Sequence, residues 1–552
     1  MATAAAALPL LQRRERVHAK PRPRARFPIE NTLLFGVAVT FYIIIANYIV
    51  FHVHYMINDA YARIDNAFDV LFTRDPHLAA IGFVWPPLPS FVDLPIIAFR
   101  GVWPALVNQG FGGSIEAAIF SAGTVVLFNV GLRWAGVVRG MRWIFCLAWL
   151  FNPMIIIYAV QGMAEAMFVF FAVASILVFL RWCENRRGGL LPLMGILAGL
   201  GCLCRNEMFF LTAALGAGVV IRTIRWKVSW REVETVALMF ALPALLMIML
   251  WIGSMAIILR DPLYWIHAQN GAIGGKIAAG GGGGGGVSVD TWRSAFDFVI
   301  GHSLLLFPAI IAALGILVAR VLVKKDRVTG LILISFAFPI ALIDIYLLHN
   351  SGLAPNLRYQ IFVIPYTFVV FVYVLRSLRT KRAVLQSLIA LPMVAVLGLS
   401  NIATAETLGN PLVSQEEAPL ITAIASGQTM EQLGRTNSID FGMQVAPLVE
   451  ALDTDHGLIA CDSTTCFPVI LNVKHPDRFV VTSDRDFQAV IAQPQVYHVE
   501  YFLVLDPAQG GSRDELNIIY PGLYEDGGGF SIRVGDAGPF RLYRVVGPTG
   551  RG

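Results

Sequence analysis

The residues best suited to chemistry follow the first long apolar segment of the chain. Asp59, Arg63 and Asp65 lie close together there, directly after a stretch that can cross a membrane. A carboxylate at a membrane boundary can take a proton from a hydroxyl group, because the low dielectric there can tune its pKa. A neighbouring arginine can hold phosphate oxygens with its planar guanidinium group. We therefore expect Asp59 to belong to a catalytic site, with Asp65 as the alternative base and Arg63 as a phosphate ligand.

Simpler roles for these residues remain open. Asp59 and Arg63 are four positions apart, so in a helix they share a face and can form an ordinary ion pair. Asp65 and Asp69 can lie on the water-facing side of a short helix at the membrane surface. For Asp69 this second interpretation is preferred over catalysis.

A second set of polar residues lies at the ends of later apolar segments. Charged groups at the rim of a bilayer are costly, so they usually face a cavity. We expect this set to bind substrate: Glu165, Arg205, Glu207, His349, Arg358 and Tyr359. Glu165 can instead stabilise the start of a helix, and Arg205 and Glu207 can close a hairpin. The histidines show no metal-site spacing, and a divalent metal cofactor remains open.

The composition is that of an integral membrane protein. Of the 552 residues, 56% are hydrophobic and 14% are charged, and the mean hydropathy is +0.65. In a soluble domain about a quarter of the residues are charged. The net charge of +5 does not indicate nucleic-acid binding, because the basic residues form short clusters between apolar runs. We expect no cleavable signal peptide, since a long basic segment follows the Ala-rich start.

The apolar runs predict a polytopic α-helical membrane protein with about eleven spans. The spans lie near 32–52, 113–132, 142–160, 163–182, 190–204, 207–222, 234–258, 298–320, 329–348, 358–376 and 383–402. The segment 190–222 can be one long helix or a hairpin that turns at Arg205-Asn206-Glu207. Only the hairpin puts every basic loop on one side, which by the positive-inside rule is the cytoplasm. We therefore expect a cell-membrane protein with the N-terminus inside and the C-terminus outside.

Three regions follow from this topology. Residues 1–30 form a basic cytoplasmic tail, residues 31–404 form the membrane domain with outer loops 53–112 and 259–297, and residues 405–552 form a domain outside the membrane. The glycine run Gly280–Gly286 should be mobile. The last region is predicted as a small extracytoplasmic α/β domain. Its strands lie at Gly457–Ala460, Arg478–Thr482, Tyr501–Asp506 and Phe540–Val546, with helices around 438–452 and 484–492.

The six cysteines do not form a disulfide framework. Four of them lie in or beside membrane segments and are expected to be small apolar fillers. Cys461 and Cys466 lie in the last region, where they can pair if that region faces an oxidising compartment. A disulfide and two free thiols both remain open at this point.

The ordered motifs resemble those of the GT-C superfamily, integral membrane glycosyltransferases that take sugars from polyprenyl-phosphate donors. More closely, they are similar to actinobacterial-type mannosyltransferases and arabinosyltransferases. The resemblance covers the membrane region and rests on four segments: Asn58–Arg63, Asn152-Pro153 through Gly162–Glu165, Cys204–Glu207 and Asn356–Tyr359. It implies that Asp59 is the catalytic base of an inverting displacement, with arginines holding the donor phosphate. Asp59 and Asp65 are six positions apart and form no Asp-X-Asp pair, which leaves the base and the metal requirement open.

We therefore expect a membrane glycosyltransferase, of hexosyl or pentosyl type, that works at the outer face of the bilayer. Its partners would be membrane lipid, a polyprenyl-phosphate-linked sugar and a glycan, lipid or protein acceptor, with no nucleic acid. The alternative from another class is a transporter or lipid flippase. A transporter should show internal repeats and polar residues at the middle of the membrane, whereas the charges here lie at one rim.

Overall fold

The fold is described from a computed structural model. It describes residues 29–267, 291–323, 327–350, 356–378, 383–435, 437–452 and 457–549. The glycine run Gly280–Gly286 and most of the basic tail lie outside these ranges. The chain divides into two compact units: unit 1 comprises Met1–Tyr42, Ala117–Ala159 and Ala164–Ile421, and unit 2 comprises Ile43–Glu116, Val160–Met163 and Thr422–Gly552.

The described residues are mostly helical. The helices of eight residues or more are α1 (Ile29–Tyr48), α2 (Asn58–Leu71), α3 (Leu88–Ile97), α4 (Phe111–Ala135), α5 (Arg139–Leu150), α6 (Pro153–Val160), α7 (Glu165–Asn185), α8 (Leu190–Cys202), α9 (Glu207–Arg225), α10 (Trp230–Ile258), α11 (Trp292–Leu306), α12 (Ala309–Val323), α13 (Arg327–Ser335), α14 (Phe338–Asn350), α15 (Val363–Ser377), α16 (Ala383–Leu408), α17 (Ala418–Ser426), α18 (Ser438–Glu450) and α19 (Ser463–Ile470). Shorter helices are Ala105–Asn108, Tyr264–His267, Phe487–Ala492, Glu515–Ile519 and Leu523–Asp526. A 3-10 turn covers Leu357–Gln360.

The polytopic membrane architecture is confirmed. In the described ranges, eight helical stretches are long and apolar enough to cross a membrane, or ten if each of two bent helix pairs counts as one span. They lie where the apolar runs predicted them. The difference from eleven comes from 190–204, where α8 has only 13 residues. At 1.5 Å per residue α8 is about 20 Å long, too short for a hydrocarbon core of about 30 Å.

The hairpin between α8 and α9 is confirmed. Cys202 Sγ and Thr212 Oγ1 are 3.3 Å apart, whereas ten residues of continuous helix would separate them by roughly 15 Å. The chain must therefore reverse direction between the two residues. The turn contains Arg205, as the charge pattern predicted.

Two expected straight spans are bent in the structure. The chain bends by 67° between α5 and α6, and by 99° between α11 and α12. The breaks lie at Pro153 and Pro308, which have no N–H group to continue a helix. Uncharged side chains of α16 satisfy the freed backbone: Asn401 donates to Ala148 O at 2.7 Å, and Ser400 Oγ accepts from Ala309 N at 2.8 Å.

Unit 1 carries charged clusters at both ends of α7. Glu165 begins this helix and Glu184 lies near its end, roughly 28 Å away at 1.5 Å per residue. Glu184 pairs with Arg181 and Arg376 and accepts a hydrogen bond from Trp134 Nε1 at 2.7 Å. These arginines belong to the loops that the positive-inside rule grouped together. Glu165 belongs to the other end.

Unit 2 contains the small α/β domain, and this prediction is confirmed too. Its sheet has the order β2-β1-β3-β5-β4. The strands are β1 (Leu458–Cys461), β2 (Phe479–Val481), β3 (Val499–Leu505), β4 (Ser531–Ala537) and β5 (Phe540–Val545). Strand β1 is parallel to β2 and β3, while β5 is antiparallel to β3 and β4. Cys461 and Cys466 form a disulfide at the end of β1.

Candidate active site

Helix α2 in unit 2 carries the three residues that the sequence singled out first. Asp59 lies in its first turn, where the helix dipole favours an acidic side chain, and it is half-buried. Arg63 is 7% exposed and Asp65 is 4% exposed. Asp59 is therefore the more accessible of the two candidate bases.

The interpretation that Asp65 and Asp69 face water is wrong. Both are buried, Asp69 to 2% exposure, because α2 packs against α19 of the α/β domain. Ser483 Oγ donates to Asp69 Oδ2 at 2.7 Å. Ser483 follows β2, as Asp462 follows β1, so both lie where parallel strands end. Ligands commonly bind at this edge of an α/β sheet, but here α2 occupies it.

Burial changes the protonation of these acids. It raises the pKa of Asp69 to about 7, with Asp484 adding to the rise and Ser483 opposing it. Burial also raises the pKa of Asp65 well above its usual range, and the neighbouring Asp69 and Asp462 raise it further. A carboxyl that holds its proton is a poor general base. Asp65 is therefore poorly suited to act as the base.

Replacing Asp69 by Asn should flatten the dependence of stability on pH. The pKa of Asp69 is raised from an unfolded value near 3.8 to about 7. Its contribution is therefore complete below pH 4 and is lost as the pH rises through 7, by up to roughly 4 kcal/mol. We expect the Tm in detergent to fall between pH 5 and pH 8 in the unaltered protein. Asp69→Asn should show a clearly smaller fall, and an equal fall would contradict the assignment.

Ion pairs hold the end of α2 to the segment after β2. Arg74 donates from Nη2 to Asp484 Oδ2 at 2.8 Å and also pairs with Asp486. Arg485 donates from Nε to Asp75 Oδ2 at 2.9 Å. Nearer the start of α2, Asn472 Nδ2 donates to the Tyr61 hydroxyl at 3.0 Å. The α/β domain thus contacts α2 near its start and directly after its end.

Unit 1 brings together five of the other predicted residues, which we call the arginine cluster: Glu165, Arg205, Glu207, Arg358 and Tyr359. Arg205 pairs with Glu165 and with Glu207, and its Nε lies 3.2 Å from each Glu207 oxygen. The Tyr359 ring centroid is 5.6 Å from the Arg205 guanidinium carbon and 5.5 Å from that of Arg358. The ring thus contacts both cations, an arrangement that cation–π attraction favours.

Further residues of unit 1 adjoin the arginine cluster. Glu416 Oε1 lies 3.2 Å from Arg358 Nη1. Glu417 accepts hydrogen bonds from the Tyr158 hydroxyl at 2.5 Å and from Ser414 Oγ at 2.7 Å. Sequence reasoning missed Tyr158, Glu416 and Glu417. The sequence signal that could have found them is the pair of adjacent acids, Glu416 and Glu417, after the last apolar segment.

Asp344 and the predicted residue His349 have different surroundings. Asp344 is 1% exposed and has Glu207 and Arg205 as charged neighbours. His349 packs its ring on Trp292, with centroids 4.2 Å apart. Across the described residues, no group of three or more His, Cys, Asp or Glu side chains is arranged to hold a metal ion.

The charges show what the arginine cluster can bind. Arg205 is held by two carboxylates, and its side chain is 12% exposed while that of Glu165 is fully buried. Arg358 and Glu416 are 11% and 17% exposed. A phosphate group can replace a carboxylate on a guanidinium, because both present oxygens that match its planar donors. Both arginines of the cluster carry such a carboxylate pairing.

No protein-family model and no curated protein matches this chain. Among solved structures, the crystal structure of ArnT from Cupriavidus metallidurans in the apo state is similar to it, with a TM-score of 0.50 and 15% sequence identity. The match covers 94% of this chain and 98% of that chain. The likeness therefore extends over the membrane helices and the C-terminal sheet domain, and it shows that the chain has an ArnT-like fold of the GT-C type.

Proposed function

We propose that this protein transfers a sugar from a polyprenyl-phosphate donor to an acceptor hydroxyl at the outer face of the membrane. The observation that carries the proposal is the fold match, which extends over 94% of the chain. ArnT is a GT-C family 4-amino-4-deoxy-L-arabinose transferase. The donor screen described below would distinguish a mannosyltransferase from an arabinosyltransferase, and hexosyl from pentosyl transfer.

In the proposed reaction Asp59 acts as the general base. The acceptor oxygen attacks the anomeric carbon of the sugar and gives its proton to Asp59. The bond from that carbon to the phosphate oxygen breaks, and its electron pair leaves with polyprenyl phosphate. Attack opposite the leaving group inverts the anomeric configuration. The half-exposed position of Asp59 at the start of α2 supports this role.

Arg358 is the proposed ligand of the donor phosphate, with Arg205 in support. The leaving phosphate gains a negative charge as the bond breaks, and a fixed guanidinium stabilises that charge. Glu416 would release Arg358 when the phosphate arrives. Tyr359 contacts both guanidinium groups and would keep them aligned.

The proposed orientation puts the N-terminus in the cytoplasm and the α/β domain outside the cell. The disulfide Cys461–Cys466 supports it, because disulfides persist mainly in oxidising compartments. A cysteine introduced at the exposed residue Gln509 should react with a membrane-impermeant maleimide added to intact cells. Labelling that requires cell lysis would contradict the orientation.

The bent spans are a feature shared with transporters, so transport is the competing function. In transporters such breaks expose polar backbone to substrate ions. Here Ser400 and Asn401 satisfy the backbone at the two breaks, and neither residue is ionisable. The charged residues of the arginine cluster lie instead at helix ends, which supports the transferase.

A donor screen tests the proposed function. The purified protein in nanodiscs would receive polyprenyl-phosphate mannose, glucose, arabinose or 4-amino-4-deoxy-L-arabinose, each labelled in the sugar, together with a cell-envelope fraction as acceptor. We expect at least one donor to yield free polyprenyl phosphate and a labelled product. Failure of all four donors, with unaltered folding, would count against the proposal.

A further inference from the structure

Two acids that sequence reasoning overlooked are buried in unit 2. Asp93 is 1% exposed and Glu116 is fully buried. Within the described ranges, none of their four carboxyl oxygens has a hydrogen-bond partner. A buried charge without partners is costly, and native structures contain few such groups. Some nearby group must therefore compensate for these two carboxyls.

The backbone geometry directs both acids toward α2. Ser90 Oγ donates to the Arg63 carbonyl at 3.1 Å, and Asp93 lies one turn further along the same face of α3. Gly113 in the first turn of α4 lies against Ile64, since a Cβ atom on it would be 3.5 Å from Ile64 Cδ1. Glu116 lies one turn beyond Gly113. Both carboxyls thus approach the part of α2 that carries Arg63.

Arg63 is the cation that faces them. It is a charged neighbour of both Asp93 and Glu116. Its guanidinium carbon lies 5.0 Å from the centre of the Trp85 ring, and its Nη1 donates to the Pro86 carbonyl at 3.5 Å. Burial raises the pKa of Asp93 to about 8, against a lowering by Arg63. The positive charge of Arg63 therefore favours the charged form of Asp93.

We propose that Arg63 is a positioning residue and not a ligand of the donor phosphate. Together with Asp93 and Glu116 it forms a buried ion cluster that fixes α2 against α3 and the N-terminal part of α4. Asp59 lies one turn before Arg63 on the same face of α2, so the ion cluster sets the position of Asp59 within unit 2. The role of Asp59 rests on the proposed function, whereas the ion cluster itself does not.

The test uses rescue by neutral partners. Arg63→Met leaves two buried carboxyls uncompensated, so the Tm and kcat should both fall, kcat at least tenfold. Adding Asp93→Asn and Glu116→Gln removes those charges. The triple variant should regain most of the lost Tm and at least tenfold in kcat over Arg63→Met, with the KM for the donor close to that of the unaltered protein.

A phosphate ligand would behave differently. Arg63→Met would then raise the KM for the donor, and the two acid substitutions would restore nothing, as we expect for Arg358→Met. An Arg63→Met variant with the Tm of the unaltered protein would overturn the inference. A triple variant that regains neither Tm nor kcat would overturn it too. If Arg63→Met does not fold, folding of the triple variant supports the inference and its failure to fold overturns it. Recovery of Tm with no turnover in any protein would refute the proposed function and leave the ion cluster standing.

Discussion

Asp59→Asn is expected to abolish sugar transfer while the protein stays folded. Asparagine has nearly the shape of aspartate but cannot accept the acceptor proton. Removing a general base typically costs 10²- to 10⁴-fold in rate, so kcat should fall by about that factor. Because Asp59 is half-buried at the start of α2, the loss of its charge should change the Tm little. Release of polyprenyl phosphate in nanodiscs, with Tm measured on the same samples, checks this result.

Asp65→Asn is the matched control on the same helix. Asp65 is 4% exposed, and burial, with Asp69 and Asp462, raises its pKa well above the usual range. The neutral amide therefore resembles the state that the structure already favours. We expect kcat to stay within about threefold of the unaltered protein, since no proton transfer is lost. Full turnover in Asp59→Asn, or its loss in Asp65→Asn alone, would contradict the assignment of the base.

Arg205→Met is expected to produce the largest loss of stability. Its guanidinium pairs with Glu165, whose side chain is fully buried, and with Glu207, which is 13% exposed. Removing one partner of a buried ion pair costs roughly 3–5 kcal/mol, because the other charge stays buried without compensation. The variant should show a much lower Tm in detergent and a lower yield of folded protein.

Arg293→Met provides a matched surface control. Arg293 pairs with Asp297 one turn later on α11, and their side chains are 91% and 65% exposed. Exposed pairs of this kind contribute little to stability, so this variant should keep the Tm of the unaltered protein. If Arg205→Met has the same Tm as Arg293→Met, the arginine cluster is not required for stability.

The spans were predictable because the apolar runs have the length of a bilayer and the basic residues separate them. The hairpin at Arg205 could be predicted too, because only that reversal keeps the basic loops together. The two bends were missed at Pro153 and Pro308, where an apolar run continues on both sides of the break. Strand β4 was missed because Gly535 and Asp536 interrupt its apolar pattern.

The candidate site was predictable only in part. Glu165, Arg205 and Glu207 end apolar segments, so their types and positions indicated a shared site. Asp69 was misjudged because its partner Ser483 is 414 positions away, and no local pattern contains that contact. Asp93 and Glu116 were overlooked for the same reason, since α3 and α4 reach Arg63 only in the folded chain.

The most direct test of the central claim follows both halves of the donor at once. Proteoliposomes containing the protein would receive a donor from the screen that carries one label in the sugar and another in the prenyl chain. Transfer predicts that the labels separate: the sugar label joins the acceptor, and the prenyl label appears as polyprenyl phosphate. Asp59→Asn should prevent this separation. Intact donor that crosses the bilayer with both labels together, without cleavage, would contradict the account and identify a flippase.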